Sequence, residues 1–202
     1  PIIEDIMELG KGTQTFPWTD FWRHSIGCAI LTREILSLTD EKFEDETDYV
    51  AGLLHNLGKL ILAITFPELF EQVYQKKHRQ TEDFLSLESK TVGWNHAKIG
   101  AYYLWNHHIS DDIVDAVHWH HEPLRSESHQ KLAGAIQVAD FITTGIGAKG
   151  LVRLSSRNEN SRSELDGWKI LFENKSPQEM EAIEHELNDT VERISQTLHG
   201  IL

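Results

Sequence analysis

Apolar residues recur every three or four positions along most of the chain, and no stretch of useful length alternates with the period of two that a half-buried strand requires. From Trp22, the residues Trp22, Ile26, Ala29 and Ile30 form one stripe. His24, Cys28, Leu31, Ile35 and Leu38 form an adjoining one, which predicts a helix buried on two sides. Thr47 is placed to cap the next helix. Tyr49 to Ile64 is then apolar almost all round, which predicts a central helix ended by Phe66 and Pro67. Inside it, His55, Asn56 and Lys59 would be desolvated at a cost of several kcal/mol unless partners are supplied. His55 and Lys59 stand four apart, on one face of that helix.

Further along, a helix starts at or near Asn95 and carries Ile99, Tyr102, Tyr103 and Trp105; its three aromatics, together with Trp94 and Trp119, are assigned to the core. Ser110 with Asp111 and Asp112 predicts the start of another, with Ile113, Val117 and His120 or His121 along one side. Leu132, Ile136, Ala139, Asp140 and Thr143 mark the next. The Gly, Ser, Asn and Arg content of residues 145–163 reads as a mobile loop. Ser176, Pro177 and Glu179 form a capping box, and Met180, Ile183, Leu187, Val191, Ile194 and Leu198 hold one apolar stripe over residues 177–198. The expected architecture is all-α, a bundle of about six to eight helices.

With 202 residues, 40% of them hydrophobic and 25% charged, the chain has the balance of one globular domain. A net charge of −13 disfavours a polyanionic partner, so nucleic acid is not expected. Cys28 is the single cysteine, which excludes an internal disulfide and a cysteine-based zinc site and suits a reducing, cytoplasmic compartment. The apolar run from Val50 to Phe66 is short for a bilayer and interrupted by polar groups, so no membrane span is expected. The first residue is Pro1 rather than Met, which suggests a processed or excised fragment. Histidine stands out, with 12 in the chain. His78, His107, His129, His185 and His199 fall at positions expected to be solvated. His24, His55, His96, His120 and His121 fall within or at the ends of apolar helical patterns, as does Asp140. Any one of them alone is more often a hydrogen-bonded core residue than a ligand, and Lys59 alone could extend its stem out of the core.

Taken together and in order, "FWRHS", "AGLLHNLGKL", "GWNHAKIGAYYL", "DAVHWHHEP" and "IQVADFI" resemble the motifs of the HD superfamily, and their surroundings are most similar to HDOD domains. The resemblance runs from about Phe21 to Leu202. It implies that residues 1–20 are the remnant of a preceding helical lobe, followed by an HD-type helical domain over residues 21–202. It also implies a divalent-metal site on His24, His55 and Asp140, with Asn56 where the family has the aspartate of the His-Asp pair. A second metal would fall on His96 and His120 or His121. Two departures weigh against catalysis. Asn56 cannot supply the negative charge that bridges two dications about 3.5–4 Å apart. The GYP signature of cyclic-dinucleotide phosphodiesterases is replaced by "EPLRSES" after His120 and His121. One metal, iron, manganese or zinc, is therefore more readily accommodated than two.

Two functions follow. The leading one is a signal-transduction module that presents a helical surface to other signalling domains or proteins. The alternative is a metal-dependent phosphohydrolase acting on a phosphorylated small molecule, with Lys59 and a pocket histidine neutralising phosphoryl oxygens and Asn56 at the degenerate catalytic position.

Overall fold

The computed structural model describes residues 16–43, 45–77, 84–149 and 163–198. Among them lie the helices α1 (Trp18–Ser37), α2 (Thr47–Leu54), α3 (Leu57–Thr65), α4 (Pro67–Lys77), α5 (Phe84–Val92), α6 (His96–Asn106), α7 (Asp111–Trp119), α8 (Gln130–Lys149), α9 (Asp166–Phe172) and α10 (Pro177–Leu198). A 3-10 turn, Pro123–Arg125, joins α7 to α8, and no strand occurs among the described residues. No single described helix is long and apolar enough to cross a membrane.

Much of the stripes read from the sequence becomes the core, with Ile26, Ile30, Leu38 and Met180 partly buried against it and Trp22 partly buried outside it. Leu31, Ile35 and Leu36 of α1 meet Leu132 and Ile136 of α8, with Leu187 of α10, in one cluster where these side chains are fully buried. Each contributes roughly 1.5–3 kcal/mol relative to exposure. α1 lies against α2, α8 and α10, while α6 spans from α3 to α7. A smaller cluster, Phe16, Leu60, Leu62, Ala63 and Phe70, closes the α3–α4 end. Phe16 anchors it, its ring 5.2 Å from Phe21 and 5.3 Å from Phe70. At the other end of the chain, Glu179 accepts hydrogen bonds from the Ser176 amide at 2.8 Å and hydroxyl at 2.7 Å, which fixes the start of α10.

Several expectations are corrected. The central helix is not continuous, because it breaks at His55 and Asn56 into α2 and α3. His55 Nδ1 bonds the Gly52 carbonyl at 2.7 Å, the acceptor that the residue-56 amide would use in an unbroken helix, and Asn56 takes φ −101°, ψ 11°. Thr47 does not cap α2: Glu46 holds the cap position in the left-handed region, and Asp48 accepts the Tyr49 amide at 2.7 Å. Ser110 occupies the cap position of α7 without a side-chain cap bond, and Asp112 accepts the Ile113 amide instead.

Trp94, Tyr102, Tyr103 and Trp105 are exposed rather than core. The buried face of α6 is built from Ala97, Gly100, Ala101 and Leu104, small enough to let its backbone approach α3, so the aromatics are left outside. Trp119 is partly buried and carries Arg125 over its ring at 4.3 Å. Residues 145–149 of the expected loop belong to α8, and the rest up to 162 lies outside the described residues. Within the expected N-terminal segment, residues 1–15 also lie outside them, and α1 already begins at Trp18. Of the histidines expected at the surface, His107 and His185 are exposed, His129 is part-buried against Asp115, and His78 and His199 fall outside the described residues.

Main chain meets main chain at Gly58, where an added Cβ would fall 1.9 Å from the His96 carbonyl oxygen. Gly58→Ala is therefore expected to destabilise the protein by about 1–3 kcal/mol or more, since neither backbone can yield without moving a helix. Urea unfolding of wild type and variant measures it; an unchanged midpoint would contradict this packing.

Candidate metal centre

Two groups of potential ligands converge in one region. His24 of α1, His55 at the end of α2 and Asp140 of α8 form the first: His24 Nε2 stands 3.0 Å from Asp140 Oδ1 and 3.3 Å from His55 Nε2, and His55 Nε2 is 3.7 Å from Asp140 Oδ1. His96 at the start of α6 and the consecutive His120 and His121 after α7 form the second, with His121 Nε2 and His96 Nε2 3.0 Å apart. The groups adjoin, since the His55 and His120 ring centroids are 5.2 Å apart.

Local structure explains each placement. The helix break points His55 inward, and its Nδ1–H donates to Gly52. His120 is held likewise by the Val117 carbonyl at 2.7 Å. His96 donates from Nδ1 to Glu88 Oε2 at 2.7 Å, and its amide donates to the same oxygen at 2.9 Å. In all three rings the proton sits on Nδ1, so Nε2 keeps its lone pair. Burial pushes His55, His96 and His120 below the ordinary histidine range, with Lys59 adding to the effect on His96 and His121 to that on His120. All three are neutral at pH 7. Burial would raise Asp140, but hydrogen bonding from His24, with His55 close by, holds it well below the usual carboxylate range.

These are the properties a metal requires. Donor atoms about 2.0–2.2 Å from one ion, at angles of 90–110°, stand roughly 2.9–3.6 Å from each other. The first group nearly matches that spacing throughout, and the second matches it for His96 and His121. His120 Nε2 is fully buried without a hydrogen-bond partner, as is Asn56 Oδ1. An orphaned imidazole lone pair beside two others fits a cation. The first group, two imidazoles and a carboxylate, suits iron, manganese or zinc; the second, three imidazoles, suits zinc or a neighbouring transition ion.

Both groups border a cleft of about 370 Å³ that Asn56 and Lys59 also line, with Phe84 and Tyr74 among its aromatic walls. Lys59 Nζ lies 5.6 Å from the centre of the Phe84 ring. A larger groove of about 690 Å³, bordered by Glu41, Lys131 and Asp166, contains neither group. Near it, Ser126 donates to Asp115 at 2.5 Å and His129 Nδ1 stands 3.2 Å from the same carboxylate oxygen. The serine faces the aspartate rather than the histidine, so this trio ties down the start of α8 and does not form a nucleophile.

Sequence reasoning named every residue of both groups but missed Glu88. The available signal was its place beside Phe84 and Leu87 on the inner stripe of α5, where a solvated carboxylate does not belong.

The neutral buried imidazoles set the acid response of the metal-free protein. Unfolded histidines take up a proton near pH 6.5 while His55, His96 and His120 resist it, so the unfolded state binds more protons as pH falls below about 6.5. Stability is expected to drop from there downward, each ring contributing up to about 1.4 kcal/mol per pH unit. Asp140, depressed in the folded state, adds its loss only as pH falls below about 4. Denaturant unfolding at pH 7.5, 6.5 and 5.5 checks the slope, and stability that rose on acidification would contradict the neutral assignment.

Comparison with known proteins bears on the family and the fold. The family model described as HDOD domain matches residues 2–123. Among solved structures, an HDOD domain protein with unknown function from Geobacter sulfurreducens superposes with a TM-score of 0.76 at 21% identity, over 96% of this chain and 66% of that one. A candidate phosphohydrolase from Shewanella amazonensis gives 0.70 at 20% identity, over 92% and 66%. The MmoQ response regulator from Methylococcus capsulatus gives 0.59 at 19%, over 85% and 63%. An uncharacterised protein of Treponema pallidum is 24% identical over 94 residues, so the aligned part is 46% of this chain and 18% of that protein. The HDOD family match extends further toward the N-terminus than the motifs alone implied and stops before Asp140. It takes in more than half of the chain, which therefore belongs to the HDOD domain family.

Proposed function

We propose that this chain is a regulatory signal-transduction module of the cytoplasm in which the histidine pocket holds a divalent cation as part of the scaffold. The observation that carries the reading is Asn56, a neutral amide with a buried, unpartnered Oδ1 in the cleft that both ligand groups border. Among the six ligand residues Asp140 is the only carboxylate, so two dications side by side would lack an anionic bridge. His24, His55 and Asp140 would hold one ion, iron, manganese or zinc; His96, His120 and His121 offer a second, weaker prospect. A bound ion supplies Lewis acidity and a fixed positive charge. The chain's own part is to orient three neutral imidazoles and to exclude water from His55, His96 and His120. Signalling domains or proteins are the partners that this reading expects.

A phosphohydrolase acting on a phosphorylated small molecule is a second reading, favoured by Lys59 on the wall of a cleft wide enough for such a ligand. The two readings separate at Asn56. Asn56→Asp is expected to raise bound metal per chain and the melting temperature in the presence of manganese or iron, because binding to the native state alone stabilises it. Elemental analysis and melting curves, with and without metal, measure both. A variant that binds no more metal and is simply less stable would show that the pocket is not an altered metal centre.

Wild type, in turn, is expected to turn over generic phosphomonoesters, phosphodiesters and cyclic dinucleotides weakly or not at all with added manganese or iron. Robust turnover abolished by His55→Ala would establish the second reading instead.

A further inference from the structure

Glu88 is the one fully buried carboxylate among the described residues, at 1% exposure, and a single oxygen of it serves a single residue twice. Oε2 accepts the His96 backbone amide at 2.9 Å and the His96 Nδ1–H at 2.7 Å. The chain is shaped to make this possible. α5 ends in Gly93 at φ +91°, whose amide caps back to the Ser89 carbonyl at 3.0 Å. Asn95 then caps α6 by accepting the Lys98 amide at 3.0 Å. Eight residues after Glu88, His96 is thereby returned onto it as the first residue of α6, with Gly58 pressed against its carbonyl oxygen.

We propose that Glu88 is the positioning residue of the three-histidine group: through Nδ1 it locks the tautomer and rotation of His96, so that the Nε2 lone pair faces the point shared with His120 and His121. This rests on the reading that the pocket holds a divalent cation, and the ligand class is a first-row transition ion that prefers imidazole nitrogen.

The partners of the rings make Glu88 different in kind from the other supports. His55 and His120 rest on backbone carbonyls, which are neutral acceptors. His96 rests on a carboxylate, and a carboxylate behind an imidazole makes the opposite nitrogen the more basic ligand. The group has no anionic ligand of its own, so Glu88 supplies the compensating charge one ring away. Each group then has one negative charge: Asp140 as a direct ligand in the first, Glu88 relayed through His96 in the second. The amide at position 56 therefore removes no charge on which the three-histidine group depends.

The test compares wild type, Glu88→Gln and Glu88→Ala in the full chain. Nitrogen-15 histidine spectra of metal-free protein read the tautomers, and competition titration with cobalt(II) and zinc(II) reads affinity. The Gln side chain keeps the shape and an acceptor oxygen but not the charge. Wild type is expected to show His96 as the Nδ1–H tautomer. Glu88→Gln is expected to retain the fold and lose ten- to a hundredfold in cation affinity, and Glu88→Ala to show a mixed His96 tautomer. Glu88→Gln keeps the test decisive should Glu88→Ala fail to fold. Wild-type cation affinity in Glu88→Gln would overturn the proposal and leave Glu88 a structural residue. So would an Nε2–H tautomer of His96 in wild type. If wild type binds no cation, the scaffold-metal reading fails, and the tautomers still judge the positioning: Nδ1–H lost in Glu88→Ala upholds it, and an unchanged tautomer in Glu88→Ala rejects it.

Discussion

Three imidazole rings, those of His55, His96 and His120, lie almost completely out of water, and the arrangement around them follows from keeping them uncharged and hydrogen-bonded there. A buried ring that stayed protonated without an adequate partner would cost several kcal/mol, so each is provided with one fixed acceptor at Nδ1. Providing those acceptors shapes the backbone. Gly52 gives its carbonyl to a side chain at the end of α2, Val117 gives its own just before α7 ends, and α5 turns back so that Glu88 can reach His96. The helices that carry these acceptors and rings are short, from 8 to 11 residues. α1, α8 and α10, whose main task is to bury apolar surface, are the long ones.

The sequence made the helix types and the ligand residues legible for one reason: both depend on spacing along a single helix. Leu31, Ile35, Ile136 and Leu187 fall where their stripes require, and the capping box at Ser176 and Glu179 forms from its residue types alone. What the pattern could not convey is what happens between helices. Tyr102 and Trp105 read as core because aromatic residues are costly to expose, yet α6 meets α3 backbone to backbone, with Gly100 against Gly58, and buries a face of small residues that leaves the aromatics outside. The break at Asn56 was equally hidden, since the run from Tyr49 to Ile64 is apolar apart from Lys59 and the two residues at the break, His55 and Asn56. A side-chain proton on His55 that takes the helix's own acceptor leaves no mark on hydropathy.

Glu88 escaped for a related reason. An acidic residue on a short helix is ordinarily solvated; its place beside Phe84 and Leu87 hints at burial, and the left-handed turn at Gly93 shows what buries it, the following helix coming back over it. Residues whose role is to hold other residues carry a weaker local signature than the ligands they hold. Their partner is defined by a turn and not by a period.

His24 lies near the start of the described chain and Asp140 far along it, and the two meet only because α1 and α8 lie side by side. In folding terms the first ligand group is a contact of very high order, since the segment that it closes contains most of the domain and its closure carries a correspondingly large entropy cost. The pocket is thus a property of the finished fold and not of any fragment of it, and a cation held by both residues reports on complete assembly. The family match ends at residue 123, ahead of α8, so one wall of the pocket is supplied by a part of the chain beyond the matched segment.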